Sequence, residues 1–212
     1  MPSSLVDLVD QSQRSLYLSL NTPVKIQEFL DDIPYSAEDS NRSPLRVFQD
    51  RKAHCLDGAL FAAAALRQVG YPPVVVDMFP DPGRDDDHVL AIYKHEGHYG
   101  ALAKSNFAGL RLREPVYRSL RELVMSYFEN FYNVDGEKTL RSYTVPYNLK
   151  VFDPYEWMWK DSGVDIIEQR LKEIHRFLVL TPLMANHLNP MDRRSYQAGM
   201  LGVNESGLYK PH

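Results

Sequence analysis

The alanine-rich stretch CLDGALFAAAALRQVG, residues 55–70, constrains the fold of this 212-residue chain more than any other segment. It has no β-branched residue before Val69 and ends at Gly70, which is typical of an α-helix with a glycine stop. Small side chains let a helix approach its neighbours closely. We therefore expect a buried central helix.

Three predicted strands follow this helix. Residues 74–79 (VVVDMF) form a β-branched run typical of an internal strand. Residues 88–94 and 99–104 are separated by a short turn with a glycine, which predicts a hairpin. The order of helices, central helix, strands and further helices indicates an α+β fold with an antiparallel sheet.

The C-terminal part of the chain has a helical pattern. Residues 119–132 and 164–180 place apolar side chains on one face, which predicts two amphipathic helices. We expect one domain over residues 1–163. Residues 164–212 would add a helical extension and tail packed on that same domain.

Composition excludes several classes of protein. The chain has 24 basic and 28 acidic side chains and a net charge of −4, so no positive field favours nucleic acid. A single cysteine excludes a disulfide scaffold and favours a reducing compartment. The N-terminal residues lack the pattern of a secretory signal, and no segment has the roughly 20 apolar residues of a membrane span. We expect a cytoplasmic protein without a membrane anchor.

Cys55 and His88 are the candidate catalytic pair. Cys55 lies where the predicted helix begins, after Arg51 and Lys52, and helix N-termini lower the pKa of a cysteine and favour the nucleophilic thiolate. His88 opens a predicted strand and would act as the general base. The alternatives are a buried structural cysteine and a solvated histidine beside an acidic loop.

These residues carry a resemblance to a known family. The runs HCLDGALFAAAALRQVGYPPVVVDM and DHVLAIYKHEGHYGALAKSN resemble the transglutaminase-like superfamily of papain-like thiol enzymes, over about residues 20–107. In that family a cysteine begins the helix and a histidine begins the next strand. The matching positions are Cys55, Asp57, Ala59, Leu66, Arg67, Gly70 and His88.

The resemblance implies a papain-like core and a thiol-dependent acyl-transfer enzyme acting on amide or peptide bonds. A peptide or protein is the implied substrate, with no cofactor. The acyl group would pass to water, as in a peptidase, or to an amine, as in a transglutaminase, and both remain open. The alternative is a non-catalytic binding protein on the same scaffold.

The family usually has an aspartate, less often an asparagine, to orient the histidine. The corresponding segment YGALAKSNF has no carboxylate, so Asn106 is the candidate, with Asp86 and Asp87 as alternatives. The Cys55 backbone amide would stabilise the oxyanion, and the resemblance suggests Tyr35 as a second donor.

The sequence has two further clusters of charged residues. Arg111 and Arg113 would flank the cleft and select an anionic substrate, unless they belong to a solvated face. Residues 85–87 with His95 and His98 match no metal-binding motif, so we expect no metal site.

Overall fold

The computed structural model describes residues 4–211 and shows an α+β fold with a seven-stranded sheet. The strands are β1 (Val74–Pro80), β2 (His88–His95), β3 (His98–Leu102), β4 (Arg113–Tyr117), β5 (Leu140–Thr144), β6 (Tyr147–Asn148) and β7 (Arg176–Leu178). The helices are α1 (Gln11–Ser19), α2 (Pro23–Asp32), α3 (Pro44–Asp50), α4 (Cys55–Gln68), α5 (Leu120–Met125), α6 (Asp161–Glu173), α7 (Pro182–Ala185) and α8 (Arg193–Gly199). Short 3₁₀ helices span Leu5–Asp7, Phe128–Asn130, Leu149–Tyr155 and Glu205–Gly207.

The sheet is antiparallel, with the strand order β4-β3-β2-β1-β5-β7, and β6 also pairs with β1. The central helix α4 packs on β2 and β1. The predicted α+β class, with a central helix on an antiparallel sheet and additional C-terminal helices, is confirmed.

The sheet separates two apolar clusters. Val75, Val89 and Ala91 pack with the apolar side chains of α4 on one face. Leu90 and Ile92 belong to the cluster on the other face, with α5. This division follows from the alternation of side chains along a strand, and it decides which side chains of β2 can face Cys55.

One close approach explains a glycine in α4. A Cβ built on Gly58 would lie 2.2 Å from the Lys104 Cβ, so a larger residue would push the helix away from residue 104. The Lys104 ammonium donates to the carbonyls of Leu30 and Ile33, and caps the C-terminal end of α2.

Elements differ from the sequence prediction in three places. The predicted helix 119–132 is α5 followed by a 3₁₀ helix, and α3 was not predicted. The predicted helix 164–180 stops at Glu173, and residues 176–178 become β7, because hydrogen bonds to the free edge of β5 outweigh helical periodicity. Within residues 4–211, no helix is both long and apolar enough to cross a membrane.

Candidate functional site

Cys55 is the first residue of α4, as the sequence predicted, and Asp57 fixes the start of that helix. The Asp57 carboxylate accepts hydrogen bonds from the backbone amides of Arg42 at 2.7 Å and His54 at 3.4 Å. Arg42 is itself 1% exposed and forms ion pairs with Asp57, Glu38 and Asp50. Asp57 therefore joins the start of the helix to the preceding loop.

The Cys55 thiol is held in a negative, mostly buried environment. It is 7% exposed and donates to the main-chain carbonyl of Asp87 at 3.7 Å. Burial raises the pKa of the thiol well above its ordinary value, and the charges of Asp86, Asp87 and Asp77 raise it further. The sequence predicted a lowered pKa from the helix N-terminus, and this expectation is corrected because desolvation and three carboxylates outweigh the helix dipole.

His88 is buried, and its ring is held by a main-chain carbonyl. Its Nε2 lies 2.9 Å from the carbonyl oxygen of Leu110. A carbonyl only accepts, so Nε2 carries the hydrogen and Nδ1 is left as a proton acceptor. Burial lowers the pKa of the imidazole to about 4, so the ring is neutral at neutral pH.

The structure does not pair the two candidate catalytic residues. No hydrogen bond joins Cys55 and His88 among residues 4–211. His88 shares the strand face of Leu90, which packs away from α4, whereas Val89 faces that helix. The thiol nevertheless contacts the main chain of the residue that directly precedes His88.

Asn106 holds the C-terminal segment and does not contact His88. Its side chain donates to the carbonyls of Asn204 at 2.9 Å and Gly207 at 3.3 Å, and accepts from the Asn204 amide at 2.8 Å. The Asn204 side chain donates in turn to the Tyr35 carbonyl at 3.0 Å. The orienting role expected of Asn106 is therefore corrected, because the Leu110 carbonyl occupies the position at His88 Nε2.

Cys55 opens onto a cleft of about 600 Å³. The C-terminal residues 206–210 form one wall, so the segment held by Asn106 borders the cleft into which the thiol opens. Tyr35 lines the same cleft, and the pKa of its phenol is raised, first by burial and then by the charges of Cys55 and Asp86.

Three aspartates that line this cleft were missed as site residues in the sequence, although Asp86 and Asp87 were alternatives for orienting His88. Asp77, Asp86 and Asp87 all line it. Asp77 is 2% exposed, and it pairs with Val89 in the sheet on the α4 side. A signal was present, because a lone aspartate within the apolar run VVVDMF is a buried charge that needs an explanation.

Arg111 and Arg113 lie outside the Cys55 cleft, so their expected role in binding substrate there is corrected. Arg111 pairs with Asp31 at 3.2 Å. The Arg113 guanidinium stacks 3.9 Å from the Tyr127 ring centroid and donates to the carbonyls of Gly109 and Ser126. Both side chains line a separate cavity of about 240 Å³.

The histidines and aspartates considered for a metal are not clustered around one point. Within the part of the chain that the structure describes, no group of three or more His, Cys, Asp or Glu side chains is arranged to hold a metal ion.

Comparisons with known proteins give structural similarity only. The chain matches no family model and no curated protein. A structure of LapG from Legionella pneumophila aligns at 17% identity and a TM-score of 0.35, covering 48% of this chain and 66% of that one, slightly under two thirds. The calcium-bound form aligns at 17% identity and a TM-score of 0.35, covering 48% of this chain and 68% of that one. The EGTA-treated form aligns at 14% identity and a TM-score of 0.42, covering 79% of this chain and 94% of that one. Similarity at this level identifies neither an activity nor a partner.

Proposed function

We propose that this protein is a thiol-dependent acyl-transfer enzyme for amide or peptide bonds, with Cys55 as nucleophile and His88 as general base. The observation that carries the proposal is the position of the thiol. It begins α4, opens onto a cleft and rests against the main chain that leads into His88.

The hydrogen bond at Leu110 supports the role of His88. Because Nε2–H donates to the Leu110 carbonyl, the lone pair on Nδ1 can accept a proton without a change of tautomer. The proton transfer requires the imidazole to come within hydrogen-bonding distance of the thiol. Catalytic hydrogen bonds often shorten only when substrate is bound.

The reaction would proceed in two stages. The Cys55 sulfur bonds to the substrate carbonyl carbon as the thiol proton passes to His88 Nδ1. The tetrahedral intermediate then breaks its C–N bond, and the imidazolium protonates the departing amine. Water attacks the resulting thioester, His88 takes one of its protons, and the carboxylic acid leaves as the thiol is restored. An attacking amine would instead give a new amide.

Two groups would stabilise the oxyanion. The Cys55 amide is free of intrahelical bonding because it lies in the first turn of α4, and such amides point at developing negative charge. The Tyr35 phenol stays protonated, since its pKa is raised, and so remains a hydrogen-bond donor.

The test is acylation of Cys55 by p-nitrophenyl acetate, followed by peptide mass mapping. We expect an acetyl thioester on Cys55 and none in Cys55→Ala. His88→Gln keeps an amide donor for the Leu110 carbonyl but offers no basic nitrogen, so acylation should fall about 100-fold. Near-ultraviolet circular dichroism checks that this variant is folded. Equal acylation of the native protein and His88→Gln would refute the assignment of His88.

The negative surroundings of the thiol favour a second candidate, a non-catalytic binding protein on the same scaffold. Three carboxylates suppress the thiolate form on which cysteine nucleophiles depend. Under this alternative, the native protein would form no thioester at all with the activated ester.

A further inference from the structure

We propose that the carboxylates of Asp77, Asp86 and Asp87 bind an organic cation next to the Cys55 thiol, namely the ammonium or guanidinium group of a substrate side chain. This inference rests on the proposed function and adds the chemical class of the substrate. All three residues line the cleft into which Cys55 opens.

The carboxyl group of Asp77 is buried and has an oxygen without a partner among residues 4–211. Asp77 is 2% exposed, and its Oδ1 has no hydrogen-bond partner in the described chain. The Thr144 hydroxyl on β5 accepts a hydrogen bond from the Asp77 backbone amide at 3.0 Å and does not bond the carboxyl group. Burying a carboxyl group without a partner costs free energy, so its retention in an apolar strand points to a ligand.

Like charges are crowded in this cleft. Burial is the main cause that raises the pKa of Asp77 and Asp87, and neighbouring carboxylates raise the pKa of both further. The pKa of Asp87 is raised to about 7. A single positive charge among them would offset both effects.

The cations already present do not supply that charge directly. Lys172 and Lys210 line the cleft, but Lys172 bonds to Glu168 at 2.5 Å. Arg176 lies 3.4 Å from the centroid of the Phe79 ring. No ion pair within residues 4–211 reaches any of the three aspartates.

The geometry favours an organic cation over a metal ion. The described residues include no group arranged as a metal site. The cleft of about 600 Å³ is instead within the range of pockets that take small molecules or single side chains.

Cation binding would also activate the nucleophile. The same three carboxylates raise the pKa of the Cys55 thiol, so a cation bound among them lowers it again. A substrate side chain with a positive charge would therefore promote attack on its own carbonyl group, whereas a neutral one would leave the pKa of the thiol raised.

The test uses calorimetry with the Cys55→Ser variant, which binds without reacting. The probes are the methylamides of Nα-acetyl-lysine and Nα-acetyl-arginine, with that of Nα-acetyl-norleucine as the neutral control. We expect at least one cationic probe to bind at least tenfold more tightly than the norleucine probe. Binding should release protons near pH 7, which titrations in two buffers of different ionisation enthalpy measure.

Substitutions of the aspartates test where the cation binds. Asp77→Asn and Asp87→Asn, made on the same background, should each weaken cation binding about tenfold, whereas Asp10→Asn on the exposed start of α1 should not. Equal binding of neutral and cationic probes, or equal binding in all variants, would overturn the inference.

The two proposals fail separately. If cationic probes bind as expected but Cys55 is never acylated by the activated ester, the enzyme proposal fails and the cation pocket stands. If Cys55 is acylated but cationic and neutral probes bind alike, only the cation pocket fails.

Discussion

The Cys55 cleft and the region around Arg113 differ in whether their charged side chains have partners in the structure. Arg113 is surrounded by its own partners, with the Ser126 hydroxyl, three main-chain carbonyls and the Tyr127 ring in contact. Asp77 has an oxygen with no partner in the described chain, and the carboxylates of Asp86 and Asp87 line the same cleft. The number of charges in a segment therefore does not mark a binding site. Unsatisfied charges beside a cleft are the better indication.

The greatest loss of stability is expected when Arg113, whose charge has partners, is replaced. Arg113→Ala removes charge-assisted hydrogen bonds and a stacked guanidinium, and leaves the Gly109 and Ser126 carbonyls unsatisfied. We expect the free energy of unfolding in urea to fall by about 3 kcal/mol. Arg118→Ala, at an exposed position with no ion pair in residues 4–211, is the matched control and should cost less than about 0.5 kcal/mol. Equal losses of unfolding free energy in Arg113→Ala and Arg118→Ala would show that the partners of Arg113 contribute no stability.

In the Cys55 cleft, removal of the Asp87 charge should stabilise the fold. The pKa of Asp87 is about 7 in the folded protein and about 4 in an unfolded chain, so the folded state keeps its proton longer. The stabilisation that this group provides is complete below about pH 4 and is lost as the pH rises through 7.

Asp87→Asn should therefore unfold like the native protein at pH 4 and be more stable at pH 8, by about 2 kcal/mol after allowance for partial exposure. Urea titrations at both pH values measure this difference, with Asp10→Asn as the control. A variant less stable than the native protein at pH 8 would mean that the carboxylate is already paired.

The third effect concerns the C-terminal segment that borders the Cys55 cleft. Asn106→Ala removes three hydrogen bonds to residues 204–207, so this segment should open more often. We expect alkylation of Cys55 by iodoacetamide to become about tenfold faster, equivalent to about 1.4 kcal/mol. Asn106→Asp, which keeps only the acceptor, should lie between. Slower acylation by p-nitrophenyl acetate in Asn106→Ala would instead restore its predicted catalytic role.

The smallest effect is expected at Arg111. Its ion pair with Asp31 is partly exposed, and exposed pairs contribute little. Arg111→Ala should change the free energy of unfolding by less than about 0.5 kcal/mol and leave the KM for p-nitrophenyl acetate unchanged. A raised KM would show that this arginine does reach the substrate.

Much of the fold was predictable because periodicity and glycine stops are local signals. The alanine-rich stretch is α4, and the apolar runs after it are β1, β2 and β3. The strand β7 was not predictable from residues 164–180, because a helical pattern does not reveal that a distant strand, β5, offers a free edge.

The site was predictable in part for a similar reason. A cysteine at a helix start is visible in the sequence, and Cys55 lies there. The Leu110 carbonyl could not be anticipated, since any residue has one and only the fold brings it to His88. The roles expected of Asn106 and Arg113 were misjudged because nothing in the sequence showed that the chain's own backbone satisfies them.

The most direct test of the enzyme proposal is the pH dependence of Cys55 acylation by p-nitrophenyl acetate between pH 4 and 9. The pKa of His88 is lowered to about 4, so a neutral imidazole is present across most of this range. If it is the base, the rate should rise to a plateau by about pH 5 and stay level to pH 8, and His88→Gln should abolish that plateau. A rate that climbs about tenfold per pH unit throughout, alike in both proteins, would show a buried thiol reacting only as its own thiolate.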